Sequence, residues 1–92
     1  QTFGLIGSAT DGGWDTSTPM TFDAAKSEYS ITATLKDGEL KFRANDAWDV
    51  NLGGDPEHLT FGGANIAVKA GTYKITLSLS DAQKYTCTIA KP

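Results

Sequence analysis

Two tryptophans stand among polar residues, where a core tryptophan would normally have apolar neighbours. Trp14 follows a pair of glycines, and Trp48 lies between Ala47 and Asp49 in KFRANDAWDVNLGGD, residues 41–55. An aromatic ring can stack on the apolar C–H face of a sugar while nearby polar side chains hydrogen-bond its hydroxyl rim. Each tryptophan is therefore either an exposed platform for such a ligand or a lid over one end of the core.

Two basic residues precede Trp48 at a spacing that places them on one face of a strand. Lys41 and Arg43 alternate with Phe42, which the pattern assigns to the core. Their N–H groups could donate to hydroxyls or ring oxygens of a ligand held by Trp48. The alternative is an ordinary solvated strand face.

Carboxylates near both tryptophans raise the question of catalysis. A glycosidase needs two carboxylates, about 5 Å or roughly 6.5–9.5 Å apart, on either side of a cleft. No such pair stands out in the sequence, and no Ser-His-Asp or Cys-His set is evident. A chain of 92 residues would also have difficulty forming a deep cleft. We therefore predict a protein without catalytic activity. The carboxylates considered are Asp11, Asp15, Asp46, Asp49, Asp55 and Glu57.

The same oxygen-rich stretch invites a calcium interpretation. It lacks the spacing and terminal Glu of an EF-hand loop. His58 is the only histidine, so a zinc site has no support. We predict neither a metal nor a cofactor. The lone Cys87 lies on the apolar face of YTCTI and is expected to be a small buried hydrophobe, with no disulfide partner to fix the redox compartment.

Alternation of apolar and polar residues dominates the rest of the chain. EYSITATL, ELKFRA, TYKITLSL and KYTCTI read as half-buried strands, and FGLIG and MTFD as shorter ones. Glycine-rich turns separate them, which predicts an all-β sandwich. Residues 7–19 and 45–65 are predicted to be long loops, and residues 80–84 a turn or one helical turn. The predicted core residues are Phe3, Leu5, Tyr29, Ile31, Leu35, Leu40, Phe42, Tyr73, Ile75, Leu77, Tyr85 and Ile89.

Length and charge restrict the class of protein. The 92 residues predict a single domain, residues 1–92. A net charge of −3 disfavours nucleic acid as a partner, since such binders concentrate Lys and Arg. No apolar run approaches the roughly 20 residues needed to cross a bilayer. Gln1 is not a natural start, so we expect the domain to have been excised from a longer protein.

Three stretches resemble a known family. FGLIGSATDGGWDTSTPMTFD, GELKFRANDAWDVNLGGD and FGGANIAVKAGTYKITLSLS are similar, in order, to the carbohydrate-binding repeats of the SusE and SusF outer-membrane starch-binding proteins. The resemblance covers nearly the whole chain. It implies an immunoglobulin-like β-sandwich of antiparallel strands that binds starch without cleaving it. It also implies a multidomain lipoprotein, exposed on the cell surface, that works beside an outer-membrane transporter and an amylase.

The resemblance also implies site residues. The sites of this family pair two aromatic residues with a basic residue and an amide or carboxylate. Here Trp14 and Trp48 would be the aromatic pair, and Lys41 or Arg43 the basic donor. Asn65 is the first choice for the amide and Asn51 the second.

Two other functions remain open at this stage. The domain could be a structural spacer that binds nothing, in which case both tryptophans should be buried. It could instead be a protein-interaction module for a transporter, which predicts a contiguous apolar patch. The leading hypothesis is a glycan-binding module for starch or maltooligosaccharides.

Overall fold

The computed structural model describes residues 2–81 and 84–91, and the secondary structure of this part is entirely β. No helix in the described part is long and apolar enough to cross a membrane. The strands in these ranges are β1 (Phe3–Gly7), β2 (Gly13–Pro19), β3 (Thr21–Asp23), β4 (Glu28–Leu35), β5 (Gly38–Ala44), β6 (Asn51–Asp55), β7 (His58–Phe61), β8 (Ile66–Val68), β9 (Gly71–Ser78) and β10 (Thr86–Ala90).

The strands form two antiparallel sheets that pack as a sandwich, as the sequence predicted. The first sheet has the order β2-β1-β5-β6-β7, with β8 paired to the first half of β5. The second sheet has the order β10-β9-β4-β3. Strands β4 and β9 pair along their whole length, from Glu28 opposite Ser78 to Leu35 opposite Gly71. They therefore form the centre of the second sheet.

The core between the sheets contains the predicted residues. Eight of them are buried, and Ile31, Tyr73, Tyr85 and Ile89 are half-buried and pack against the others. Cys87 is buried as expected, and burial, helped by the charge of Asp55, raises the pKa of its thiol to about 12. The eight buried residues are Phe3, Leu5, Tyr29, Leu35, Leu40, Phe42, Ile75 and Leu77.

The prediction of two long loops, over residues 7–19 and 45–65, is wrong in part. Strand β2 occupies the second half of residues 7–19, and β6 and β7 occupy much of residues 45–65. These strands show no apolar–polar alternation because polar residues and glycine fill most of their positions. In β6 and β7, the buried side chains of Leu52 and Leu59 pack into the core. The prediction for residues 80–84 falls partly on residues 82 and 83, outside the described residues.

Both lateral edges of the sandwich are joined from one sheet to the other. At one edge, β2 of the first sheet passes through the buried Met20 directly into β3 of the second sheet. At the other edge, the Leu59 N–H donates to the Tyr85 carbonyl at 2.8 Å, and the Cys87 N–H donates to the Pro56 carbonyl at 2.8 Å. The two hydrogen bonds at the second edge pair backbone groups that an open edge would leave unpaired.

Candidate functional site

The outer face of the first sheet carries two cations that are almost inaccessible to water. Lys41 and Arg43 point away from the core because they alternate with Leu40 and Phe42 in β5. Lys41 and Arg43 are only 7% and 4% exposed, so this is not the ordinary solvated strand face that the sequence left as an alternative. Ile6, the cross-strand partner of Lys41 on the same face, is also fully buried. Something must therefore cover this face of the sheet.

The cover comes from the loop that joins β5 to β6, residues 45–50. Asn45 and Asp46 both have left-handed backbone angles, φ 56° and 54°, a conformation that Asn and Asp tolerate better than most residues. Asn45 is held to Thr2 by two hydrogen bonds, one through its N–H at 2.6 Å and one through its Oδ1 at 2.9 Å. This tight turn directs Trp48 back over β5.

The ring of Trp48 lies over both cations. Its centroid is 5.0 Å from Arg43 Cζ and 6.0 Å from Lys41 Nζ, within the range of cation–π attraction. Asn51 fixes the backbone beneath the ring, because its Nδ2 donates to the Trp48 carbonyl at 3.0 Å. The inner face of the indole therefore contacts the protein, and Trp48 remains 45% exposed.

Trp14 lies beside Trp48 on the same face of the sheet, but it belongs to β2 and not to the β5–β6 loop. It follows Gly13, whose φ of +60° closes a turn in which the Gly13 N–H donates to the Thr10 carbonyl at 3.1 Å. The two indole centroids are 6.1 Å apart and the ring planes are tilted by 32°. Trp14 is 37% exposed. We call this pair the Trp14–Trp48 platform.

The guanidinium of Arg43 is held by two segments of the chain. Its Nε donates to Ser17 Oγ in β2 at 2.6 Å, and its Nη2 donates to Asp46 Oδ1 at 2.7 Å. The Ser17 N–H also donates to Asp46 Oδ1, at 3.1 Å. Hydrogen bonds from the hydroxyl and N–H of Ser17, together with Arg43, hold the pKa of the Asp46 carboxyl below its usual range. Asp46 is therefore a structural anion at this site.

Lys41 has a different environment. Its Nζ donates to Asn51 Oδ1 at 2.5 Å, and burial lowers the pKa of its ammonium. An ammonium has three N–H donors, and Asn51 accepts from one of them. Next to it, Gly53 leaves room for the side chain, since a Cβ at that position would come within 2.9 Å of Lys41 Cε. Lys41 and Asn51 form a polar pair beside the ring of Trp48.

The structure brings five of the six predicted site residues together. Trp14, Trp48, Lys41, Arg43 and Asn51 share the outer face of the first sheet. Asn65 is instead tied to Glu39, with its Nδ2 donating to Glu39 Oε1 at 3.2 Å.

Sequence reasoning missed Ser17 and considered Asp46 only as a catalytic or metal-binding group. Both hold Arg43 instead. Within the described residues, no cluster of three or more His, Cys, Asp or Glu side chains is placed to hold a metal ion. The sequence does contain one signal for the position of Asp46, because the Asn45-Asp46 dipeptide favours a turn after a strand.

Two exposed aromatic rings side by side, bordered by an ammonium and an amide, can stack on the apolar face of a ligand and hydrogen-bond its polar groups. Residues 2–88 match the sequence model of a family described as SusF/SusE starch-specific carbohydrate-binding modules, and the chain belongs to this family. Searches among curated proteins and among solved structures gave no match.

Proposed function

We propose that this chain is a non-catalytic module that binds starch or maltooligosaccharides through the Trp14–Trp48 platform. The observation that carries the proposal is the pair of indole rings, 6.1 Å apart and both exposed on one surface. Stacking of a sugar on a ring needs an accessible π-face and a ligand with an apolar C–H face. The description of the family as starch-specific supports an α-glucan as the ligand.

The tilt of the platform favours a curved chain. The two ring planes differ by 32°, so two neighbouring sugars that stack on them must also be inclined to each other. Sugars joined by α-1,4 bonds follow a bent path, whereas a β-1,4-linked chain is a flat ribbon. A platform of this shape therefore suits an α-glucan better than a cellulose-like polymer.

Hydroxyl groups of the bound sugar would be recognised beside the platform, by Lys41 and Asn51. Lys41 has N–H donors beyond the one that Asn51 accepts, and both side chains lie next to Trp48. Arg43 is a poorer choice because Ser17 and Asp46 already engage its guanidinium. We prefer Asn51 to Asn65 as the amide because Asn51 contacts both Lys41 and the Trp48 backbone, whereas Asn65 contacts Glu39.

Affinity for a single site should be weak. A shallow face buries little of the ligand, and each hydroxyl exchanges water for protein at a net gain of about 0.5–1.5 kcal/mol. We propose that the parent protein compensates with several such domains, because linked sites raise the effective concentration of the ligand. In this proposal the parent is a lipid-anchored protein on the outer-membrane surface, beside a transporter and an amylase.

The spacer function gains no support. It requires both tryptophans to be buried, and they are 37% and 45% exposed.

Affinity electrophoresis through gels containing amylose, dextran or a mixed-linkage β-glucan tests the proposal. We expect amylose to retard the wild-type protein most, and Trp48→Ala or Trp14→Ala to abolish most of the retardation. Phe22→Ala is the matched control, since Phe22 is a similarly exposed aromatic residue in β3 of the second sheet. If amylose retarded both tryptophan variants as strongly as the wild type, the Trp14–Trp48 platform would not be the binding site. Release of reducing sugar from starch by the pure protein would refute the non-catalytic assignment.

A further inference from the structure

We propose that Arg43 is a positioning residue, which holds Trp48 in the orientation that ligand binding requires and does not itself contact the ligand. The inference rests on the proposed function, because it concerns the same platform. It differs from the sequence-based expectation that Arg43 donates hydrogen bonds to sugar hydroxyls.

The position of the guanidinium beneath the ring is the first observation. Arg43 Cζ lies 5.0 Å from the Trp48 centroid, and Arg43 is 4% exposed. A cation over an aromatic face attracts the ring most strongly where water is excluded. Because Arg43 occupies the inner face of the indole, a sugar can stack only on the outer face. The guanidinium therefore supports the ring from the side opposite to the ligand.

The partners of the guanidinium are the second observation. Ser17 belongs to β2, the strand that begins with Gly13 and Trp14, and Asp46 belongs to the loop that carries Trp48. The Ser17 N–H and Arg43 converge on the same oxygen of Asp46, at 3.1 Å and 2.7 Å. Arg43 thus connects the segments that present the two rings. A lysine could not reproduce this, because it lacks the planar fork of donors.

The first test needs no ligand. Two indoles this close give an exciton couplet in circular dichroism, whose amplitude depends on their relative orientation. Arg43→Met removes the guanidinium donors and keeps an apolar side chain of similar length, and we expect it to reduce the amplitude of the couplet clearly. Lys74→Met is the matched control, since it makes the same kind of change at an exposed position in β9 of the second sheet, and should leave the couplet near wild type. No couplet in the wild type would overturn the ring arrangement and the proposal with it.

The second test is a double-mutant cycle in which titration calorimetry measures the affinity of each variant for maltoheptaose. If Arg43 acts through Asp46, then Arg43→Met and Asp46→Asn should each weaken binding about tenfold, which is ~1.4 kcal/mol, and the double variant no further. Additive losses combined with an unchanged couplet would show that Arg43 is a direct ligand donor. Unchanged binding in Arg43→Met would also overturn the proposal.

Ser17→Ala covers the case in which Arg43→Met does not fold. It removes the acceptor of the Arg43 Nε–H from a half-buried position, which is a small change. We expect a partial reduction of both the couplet and the affinity, and no change in either would refute the positioning role. If the wild type binds no α-glucan, the proposed function fails, while the couplet of these variants still decides whether Arg43 orients Trp48.

Discussion

At the scale of single residues, Trp48 divides its two faces between the protein and the solvent. Its inner face covers Arg43 and Lys41, and its outer face is open. The sequence allows either an exposed ring or a lid at this position, and the structure shows a ring that covers the sheet with one face and exposes the other. Changes at Trp48 should therefore affect stability as well as binding.

Trp48→Ala should lower the free energy of unfolding by about 1–2 kcal/mol, because it removes two cation–π contacts and uncovers two buried cations. Trp48→Phe is the control, since it keeps an aromatic face and should lose less than half as much. Urea unfolding followed by far-UV circular dichroism measures both. A Trp48→Ala protein as stable as the wild type would show that the contacts beneath the ring contribute nothing.

Asp46 should make stability sensitive to acid. Its pKa is lower in the folded protein than in the unfolded chain, so its contribution is fully present above the usual Asp range, about pH 4, and is lost as pH falls through the folded pKa. Asp46→Asn should be less stable than the wild type at pH 7, and the difference should shrink below about pH 4. Asp49→Asn, in the same loop, is the control. A difference that is constant from pH 7 to pH 2.5 would contradict the ionic role.

At the scale of elements, β6 approaches the loop after β7 so closely that neither Gly53 nor Gly63 leaves room for a Cβ. A Cβ on Gly53 would collide with the carbonyl oxygen of Ala64 and would lie 2.9 Å from Lys41 Cε and 3.0 Å from the Gly63 carbonyl oxygen. This contact is where β6, the 62–65 segment and Lys41 meet. It therefore links the packing of an element to the polar pair beside the platform.

Gly53→Ala should cost about 1–3 kcal/mol of stability, the usual range for overpacking, and should also displace Lys41. Gly13→Ala is an instructive comparison, because a Cβ there meets nothing within 4 Å and the cost, about 1–2 kcal/mol, comes from the left-handed φ of +60°. Thermal unfolding measures both. A Gly53→Ala protein with wild-type stability would show that the backbone can separate at this contact.

How far the sequence predicts the molecule depends on the element. Strands β4, β5, β9 and β10 alternate clearly, so their inward residues could be assigned without a structure. Strands β6 and β7 could not, since glycine and polar residues hide their register. The burial of Lys41 and Arg43 depends on contacts between segments far apart in sequence, such as Ser17 with Asp46, which no local pattern encodes.

At the scale of the whole molecule, the thiol of Cys87 reports on the closure of the sandwich. Cys87 is buried in the core, and its backbone N–H belongs to the edge link with Pro56. With a pKa raised to about 12, it is almost entirely protonated at neutral pH, and only the thiolate reacts. Its reactivity should therefore require the two sheets to separate.

We expect a thiol-reactive disulfide reagent at pH 8 to label Cys87 slowly in the native protein and rapidly in urea. The native rate should rise with urea in parallel with the unfolded fraction, if labelling requires global unfolding. Rapid labelling without denaturant would show that the edge between β7 and β10 opens locally. Leu59→Ala, which creates a cavity at that edge, should accelerate labelling more than the exposed substitution Phe22→Ala.

The two tryptophans of the chain both lie in the platform, and this gives the protein a built-in optical probe. Its intrinsic fluorescence under tryptophan-selective excitation comes entirely from the proposed binding surface. A change in emission on adding a glycan would therefore measure occupancy of that surface without a label. The same signal, recorded during heating, would follow the loss of the outer face of the first sheet, while the packed interior would have to be followed by its tyrosines.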